Sequence, residues 1–177
     1  EVVHGIGRKG RIIRDGDVVS LDVGVKLNGF FGDNAVSIVA GSARNREVVQ
    51  LLKATRKSLE AGIEAAVAEG YVRDIGVAVQ RVVRSYGFSV VRDFVGHGCG
   101  TELHEPPEVP NFPVEKKGPK LLPGMVLAIE PMANMGTDTV SVDADGWTVR
   151  TKDGGLSAHF EHMVLIRKKK EAEILTW

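Results

Sequence analysis

The chain has a single cysteine in its 177 residues, Cys99. That excludes an intramolecular disulfide framework and agrees with a reducing cytoplasm. It has no excess charge of either sign, with 23 Lys and Arg against 23 Asp and Glu, so there is no electrostatic case for binding nucleic acid or an anionic membrane. No apolar run approaches the ~20 residues of a spanning helix, and no signal-peptide pattern is present. An initiating Met is also missing: the chain opens at Glu1, in what reads as a strand entering the Gly5-Ile6-Gly7 loop, and an upstream segment is expected. What is left, 43% apolar and 26% charged residues, is an ordinary globular composition. Its length suits one domain over 1–177, short of an N-terminal part.

Chemistry-bearing residues concentrate in Gly96-His97-Gly98-Cys99-Gly100-Thr101-Glu102-Leu103-His104-Glu105-Pro106-Pro107. Glycine lets the backbone bend and approach a ligand, and proline ends regular structure. This stretch therefore reads as a loop that presents His97 and His104, each a potential metal ligand or proton carrier.

Upstream, Asp17 to Val25 reads as a β-branched strand, Asn28-Gly29 as a type I′ turn, and Phe30 to about Ala40 as the return strand. With Asn28 and Gly29 as the loop, Leu27 pairs with Phe30, Val25 with Gly32 and Gly24 with Asp33. Asp22 then shares a face with Asp33, their Cα atoms on the order of 7–8 Å apart. Two carboxylates held that close raise a pKa unless a cation lies between them. Strand interiors are depleted in Asp, and a half-buried carboxylate needs a partner.

Further along, a helix capped by Ser42 is expected from about Ala43 to Ala61, with Val48, Leu52, Thr55, Leu59 and Ile63 inward. Gly70 interrupts, and a second helix runs from Val72 to Tyr86 with Gly87 as its stop. Strands follow at Phe88 to Phe94, Met125 to Ile129, Trp147 to Arg150 and Leu156 to Ile166, with a proline-rich connection over 106–123. Arg8, Lys9, Arg11 and Arg14 read as a solvated loop face, and Arg167 to Lys170 as a solvated end; a ribosome contact for that end is the minor alternative.

Asp15-Gly16 to Asp22 echoes Pro123-Gly124 to Glu130: in each, a carboxylate comes six residues after the turn glycine. A loop histidine precedes each, His4 and His104, and a second strand with an embedded acid follows each, Asp33 and Glu161. This is a duplicated half-domain with one acid pair from each half. Four acids and His97 form an oxygen-rich donor set that suits Mn²⁺, Fe²⁺, Co²⁺ or Zn²⁺, and two divalent cations balance four carboxylates. Two such ions activate a water for hydrolysis.

Together these motifs resemble the type I methionine aminopeptidases of the pita-bread metallopeptidase family. The likeness is carried by Val3-His4-Gly5-Ile6, Leu21-Asp22-Val23-Gly24-Val25, Gly29-Phe30-Phe31-Gly32-Asp33, Gly96-His97-Gly98, His104-Glu105, Ile129-Glu130-Pro131, Trp147-Thr148-Val149-Arg150 and Ser157-Ala158-His159-Phe160-Glu161-His162. The resemblance implies an α+β pita-bread fold, with pseudo-two-fold half-domains and a curved antiparallel sheet covered by helices. It implies a monomer that removes the initiator Met from nascent polypeptides by means of a dinuclear-metal-activated hydroxide. Asp22, Asp33, His97, Glu130 and Glu161 would bind the two ions, with Asp33 and Glu161 bridging, and Glu130 would also serve as general base. His104 would bond the scissile carbonyl, His4 the scissile amide nitrogen, and Trp147 and Leu103 would line the methionine pocket. His159 and His162 would flank Glu161 on the other strand face as supporting groups. Leu103, Cys99 and Gly7-Arg8-Lys9-Gly10 depart from the family pattern. The rival readings are an Xaa-Pro peptidase of the same fold and a non-catalytic module that kept the fold.

Overall fold

The computed structural model describes residues 1–168 and 171–176, and it is α+β, with strands that pair antiparallel throughout. β1 (Val18–Leu27) and β2 (Phe30–Val39) form the first hairpin. Its loop residues have φ of 50° at Asn28 and 88° at Gly29, the left-handed values a type I′ turn requires. The register is the expected one: Leu27 faces Phe30, Val25 faces Gly32 and Gly24 faces Asp33. On the opposite face Leu21, Val23, Val25 and Leu27 are exposed.

The first helix, α1 (Arg46–Ala65), starts later than the Ser42 cap implied. Asn45 is the cap, its Oδ1 accepting from the Val48 N–H at 3.0 Å. Ser42 is held elsewhere, its N–H bonded to Asp15 Oδ1 at 3.0 Å. Leu51, Thr55, Leu59 and Ile63 face inward, while Leu52 is half-buried. α2 (Val72–Ser85) ends as expected at Gly87, whose φ is 83°. The two helices lie side by side over the strands of the second half, and Gly62 lets α1 come close to Val79 of α2.

In that second half several expectations need correction. β3 is only Ser89–Val90, because the chain bends at the exposed Arg92 and Asp93 once the Val91 N–H has bonded the Met132 carbonyl. The stretch around His97 is a strand, not a loop: β4 (Gly96–Gly98) is inserted between β5 (Glu105–Val109) and β6 (Val126–Ile129). A Cβ at Gly96 would meet the Ala128 carbonyl oxygen at 2.3 Å, and one at Gly98 the Pro106 oxygen at 2.4 Å. The glycines therefore admit neighbouring backbone rather than a ligand. Part of the proline-rich connection is thus a strand.

β7 (Met132–Asn134) and β8 (Val140–Val142) follow, and β8 pairs with β9 (Val149–Thr151). The last long strand divides into β10 (Ser157–His159) and β11 (His162–Leu165). β10 pairs with β7, while β11 joins β6 and β12 (Glu173–Ile174), so Glu161 lies where the chain changes sheets. The core fills the space between helices and sheets, with Leu59, Ile75, Val79, Leu127, Ile129 and Val164 in one cluster and Leu51, Val83, Phe88 and Ala158 in another. Of the basic cluster, Arg8 pairs with Asp145 and Arg11 with Glu1. Arg167 and Lys168 are exposed, and Lys169 and Lys170 lie outside the described residues.

Candidate metal centre

Four separate elements bring their side chains to one point. Asp33 comes from β2, His97 from β4, Glu130 from the residue after β6, and Glu161 from the break between β10 and β11. All four are buried, and ligand atoms of Asp33, His97 and Glu161 lie within 4.8 Å of one another. Glu130 Oε1 is 3.4 Å from His97 Nε2, and Asp33 Oδ2 is 3.7 Å from it. The backbone holds these groups in place. The Glu161 N–H bonds the Ala35 carbonyl at 2.8 Å, the Asp33 N–H bonds Met163 Sδ at 3.0 Å, and Asn111 Nδ2 bonds the Glu130 carbonyl at 3.1 Å. Asp22 stands at the rim. It is exposed and outside the tight group, yet its charge acts on Glu161.

The orientation of the His97 ring follows from its partners. Nδ1 sits 2.9 Å from the Gly98 carbonyl, which can only accept, so Nδ1 donates there. Nε2 is thereby turned toward the carboxylates of Asp33 and Glu130. The buried Oε1 of Glu161 makes no hydrogen bond among the described residues. Its carboxyl is pushed up to about 10, first by burial and then by Glu130, Asp33 and Asp22. Asp33 is also raised, by burial first, with Glu130 adding to it. An imidazole Nε2 turned to carboxylates, an orphaned carboxylate oxygen and crowded acids fit a divalent cation site with mixed N and O donors.

Around this group, His104 is exposed, and its ring meets that of His97 edge-on at 4.4 Å. His4 stacks on Trp147 at 4.6 Å with 15° between the planes, and Trp147 is 54% exposed. Leu103 reaches over Gly24 at the rim of the hairpin. His159 corrects an expectation. Its ring is on the side of the acids rather than on a separate face, with Nε2 3.4 Å from Glu130 Oε2. His162 Nδ1 instead contacts Asn34 Nδ2 at 3.2 Å and Thr176 Oγ1 at 3.1 Å. From the sequence, Asn111 belongs only to the Pro110-Asn111 motif of the family likeness, without a role of its own, and nothing local ties Met163 to Asp33.

A family profile described as metallopeptidase family M24 matches residues 1–168. A methionine aminopeptidase of Clostridium acetobutylicum is 48% identical over 166 residues, 94% of this chain and 66% of that protein. The crystal structure of a methionine aminopeptidase from Thermotoga maritima superposes with a TM-score of 0.95 at 44% identity, over 99% of this chain and 70% of that one. A prolidase from Pyrococcus furiosus shares the fold, with a TM-score of 0.75 at 24% identity over 99% of this chain and 45% of its own. The chain thus spans just under two thirds of the length of the first curated relatives it matches, 66% for several of them.

Proposed function

Because the chain belongs to metallopeptidase family M24, we propose that it is a metal-dependent aminopeptidase that removes the initiator methionine from nascent polypeptides. The observation that carries this reading is the convergence of Asp33, His97, Glu130 and Glu161, with His97 Nε2 turned toward the acids. Asp22, Asp33, His97, Glu130 and Glu161 would hold two divalent ions, drawn from Co²⁺, Mn²⁺, Fe²⁺ and Zn²⁺. Bound there, such ions act as Lewis acids that polarise a carbonyl and make water reactive near neutral pH.

The chain's own side chains supply the rest. Glu130 takes the proton of the attacking water on a carboxylate oxygen and passes it to the leaving amine nitrogen. His104, exposed beside His97, donates to the scissile carbonyl oxygen, where negative charge grows in the transition state. His4, its ring held flat on Trp147, orients the scissile amide nitrogen. Trp147 and Leu103 flank the methionine side chain, whose sulfur contacts an aromatic face favourably. We read the described residues as one catalytic domain. No helix among the described residues is long and apolar enough to cross a membrane, and we place the activity in the cytoplasm, in a monomer.

The test is release of free Met from Met-Ala-Ser with and without Mn²⁺, alongside an Xaa-Pro peptide. Metal-dependent cleavage of Met-Ala-Ser alone is expected. Cleavage of the Xaa-Pro peptide alone would transfer the chain to the prolidase type, and tight metal binding without cleavage of either would leave a binding module.

A further inference from the structure

His159 is a buried ionisable group that the scheme above leaves without a task. It is 2% exposed, and neither ring nitrogen makes a hydrogen bond among the described residues. Its Nε2 faces Glu130 Oε2 at 3.4 Å, while the other oxygen of that carboxylate, Oε1, faces His97 Nε2 at the same distance. A buried ring nitrogen without a partner is unfavourable, and here a small rotation of ring or carboxylate closes the gap to a hydrogen bond.

The backbone beneath the ring is held on both sides. Ser37 Oγ accepts the His159 N–H at 2.8 Å and donates to the His159 carbonyl at 2.9 Å. That uses the only hydroxyl proton Ser37 has, so Ser20 Oγ, 2.7 Å away, is the donor in the contact between the two serines. A chain of contacts from β1 through β2 thus fixes where the imidazole sits. A proton on Nε2 points at Glu130, whereas one on Nδ1 has no acceptor among the described residues.

The geometry points to His159 as a positioning residue. It donates from Nε2 to Glu130 Oε2 and so fixes the plane of that carboxylate, leaving Oε1 turned toward the centre. This rests on the reading of Glu130 as the proton carrier. Residues that orient a ligand or a base typically change affinity or turnover by ~10- to 100-fold when removed.

The experiment compares wild type with His159→Leu, His159→Met and His159→Gln. Leu and Met fill the space without a donor. Gln carries its amide N–H as many bonds from Cα as Nε2 is in histidine. The measurements are kcat and KM on Met-Ala-Ser, Mn²⁺ affinity by calorimetry, and thermal unfolding. Expected for Leu and Met is a kcat lower by about 10- to 100-fold, with KM within about threefold and Mn²⁺ bound about tenfold more weakly. His159→Gln should recover most of both losses. Equal impairment of all three variants, or wild-type behaviour of the Leu and Met variants, would overturn the proposal. If one donor-free variant does not fold, the other carries the comparison with Gln. If wild type binds Mn²⁺ but releases no Met, the aminopeptidase reading fails, and the order of Mn²⁺ affinities still decides the role of His159.

Discussion

Filling the acid cluster with a divalent cation should expel a proton, and the amount can be worked from the structure. Without metal the Glu161 carboxyl stands at about 10, raised chiefly by burial and then by Glu130, Asp33 and Asp22, against an ordinary value of 4.5. At pH 8 the free protein therefore holds a proton on Glu161 that a cation must displace. Close to one proton per molecule should be released as Mn²⁺ fills the site, with Asp33, also raised, adding to it. Each displaced proton makes the apparent affinity about tenfold stronger per pH unit, or about 1.4 kcal/mol.

Linkage gives the sign for stability. The folded metal-free chain binds more protons than the unfolded chain between the unfolded and folded pKa values of Glu161. Its contribution to stability is thus full below about pH 4.5 and is lost as pH rises toward about 10. Mn²⁺ should then raise Tm more at pH 8 than at pH 6, and Glu161→Gln should flatten the pH slope of the metal-free protein. The assay is calorimetric titration at pH 8 in buffers of different ionisation enthalpy, where the slope of observed heat against buffer enthalpy counts protons. A slope of zero, with an affinity indifferent to pH, would refute the picture of a carboxylic proton standing in for the cation.

Glu130→Gln keeps the volume and removes the base, so it should fold normally and lose about 10²- to 10⁴-fold in kcat; near-normal kcat would remove Glu130 from the proton path. His104→Ala should lower kcat more than it raises KM, because a bond to the carbonyl oxygen strengthens as charge develops there; steady-state kinetics that show only a KM change would contradict that role. Gly96→Ala pushes a Cβ to 2.3 Å from the Ala128 carbonyl oxygen, a backbone atom of the adjacent strand. It should destabilise by about 1–3 kcal/mol in urea unfolding, and unchanged stability would mean that the β4–β6 spacing is not set by glycine.

The sequence was most informative where a local rule acts alone. Asn28-Gly29 admits few turn geometries, so the register from Leu27–Phe30 to Gly24–Asp33 followed without any tertiary information. Acids placed in apolar strands are unfavourable unless something compensates, which is why Asp33, Glu130 and Glu161 stood out and why the structure gathers them. The failures lie where distant backbone decides. Gly96 and Gly98 have the composition of a loop, and only the carbonyls of Ala128 and Pro106 reveal that they serve a packed strand. Ser42 and Asn45 are both good caps by residue type, and composition alone does not show that Asn45 takes the Val48 N–H while the Ser42 N–H bonds Asp15.

The run from Leu156 to Ile166 shows the limit most sharply. It reads as one strand with His159, Glu161 and His162 inside it, and no glycine or proline separates β10 from β11. The break arises because β7 claims one end and β6 the other, while Ala35 and Ser37 of β2 bond the Glu161 and His159 backbones between them. At that same break Glu161 joins the acid cluster and His159 faces Glu130. Glu161 belongs to neither ladder, and its backbone is placed by the Ala35 carbonyl that accepts its N–H. The irregularity that a pattern of alternation cannot show is therefore what assembles the centre.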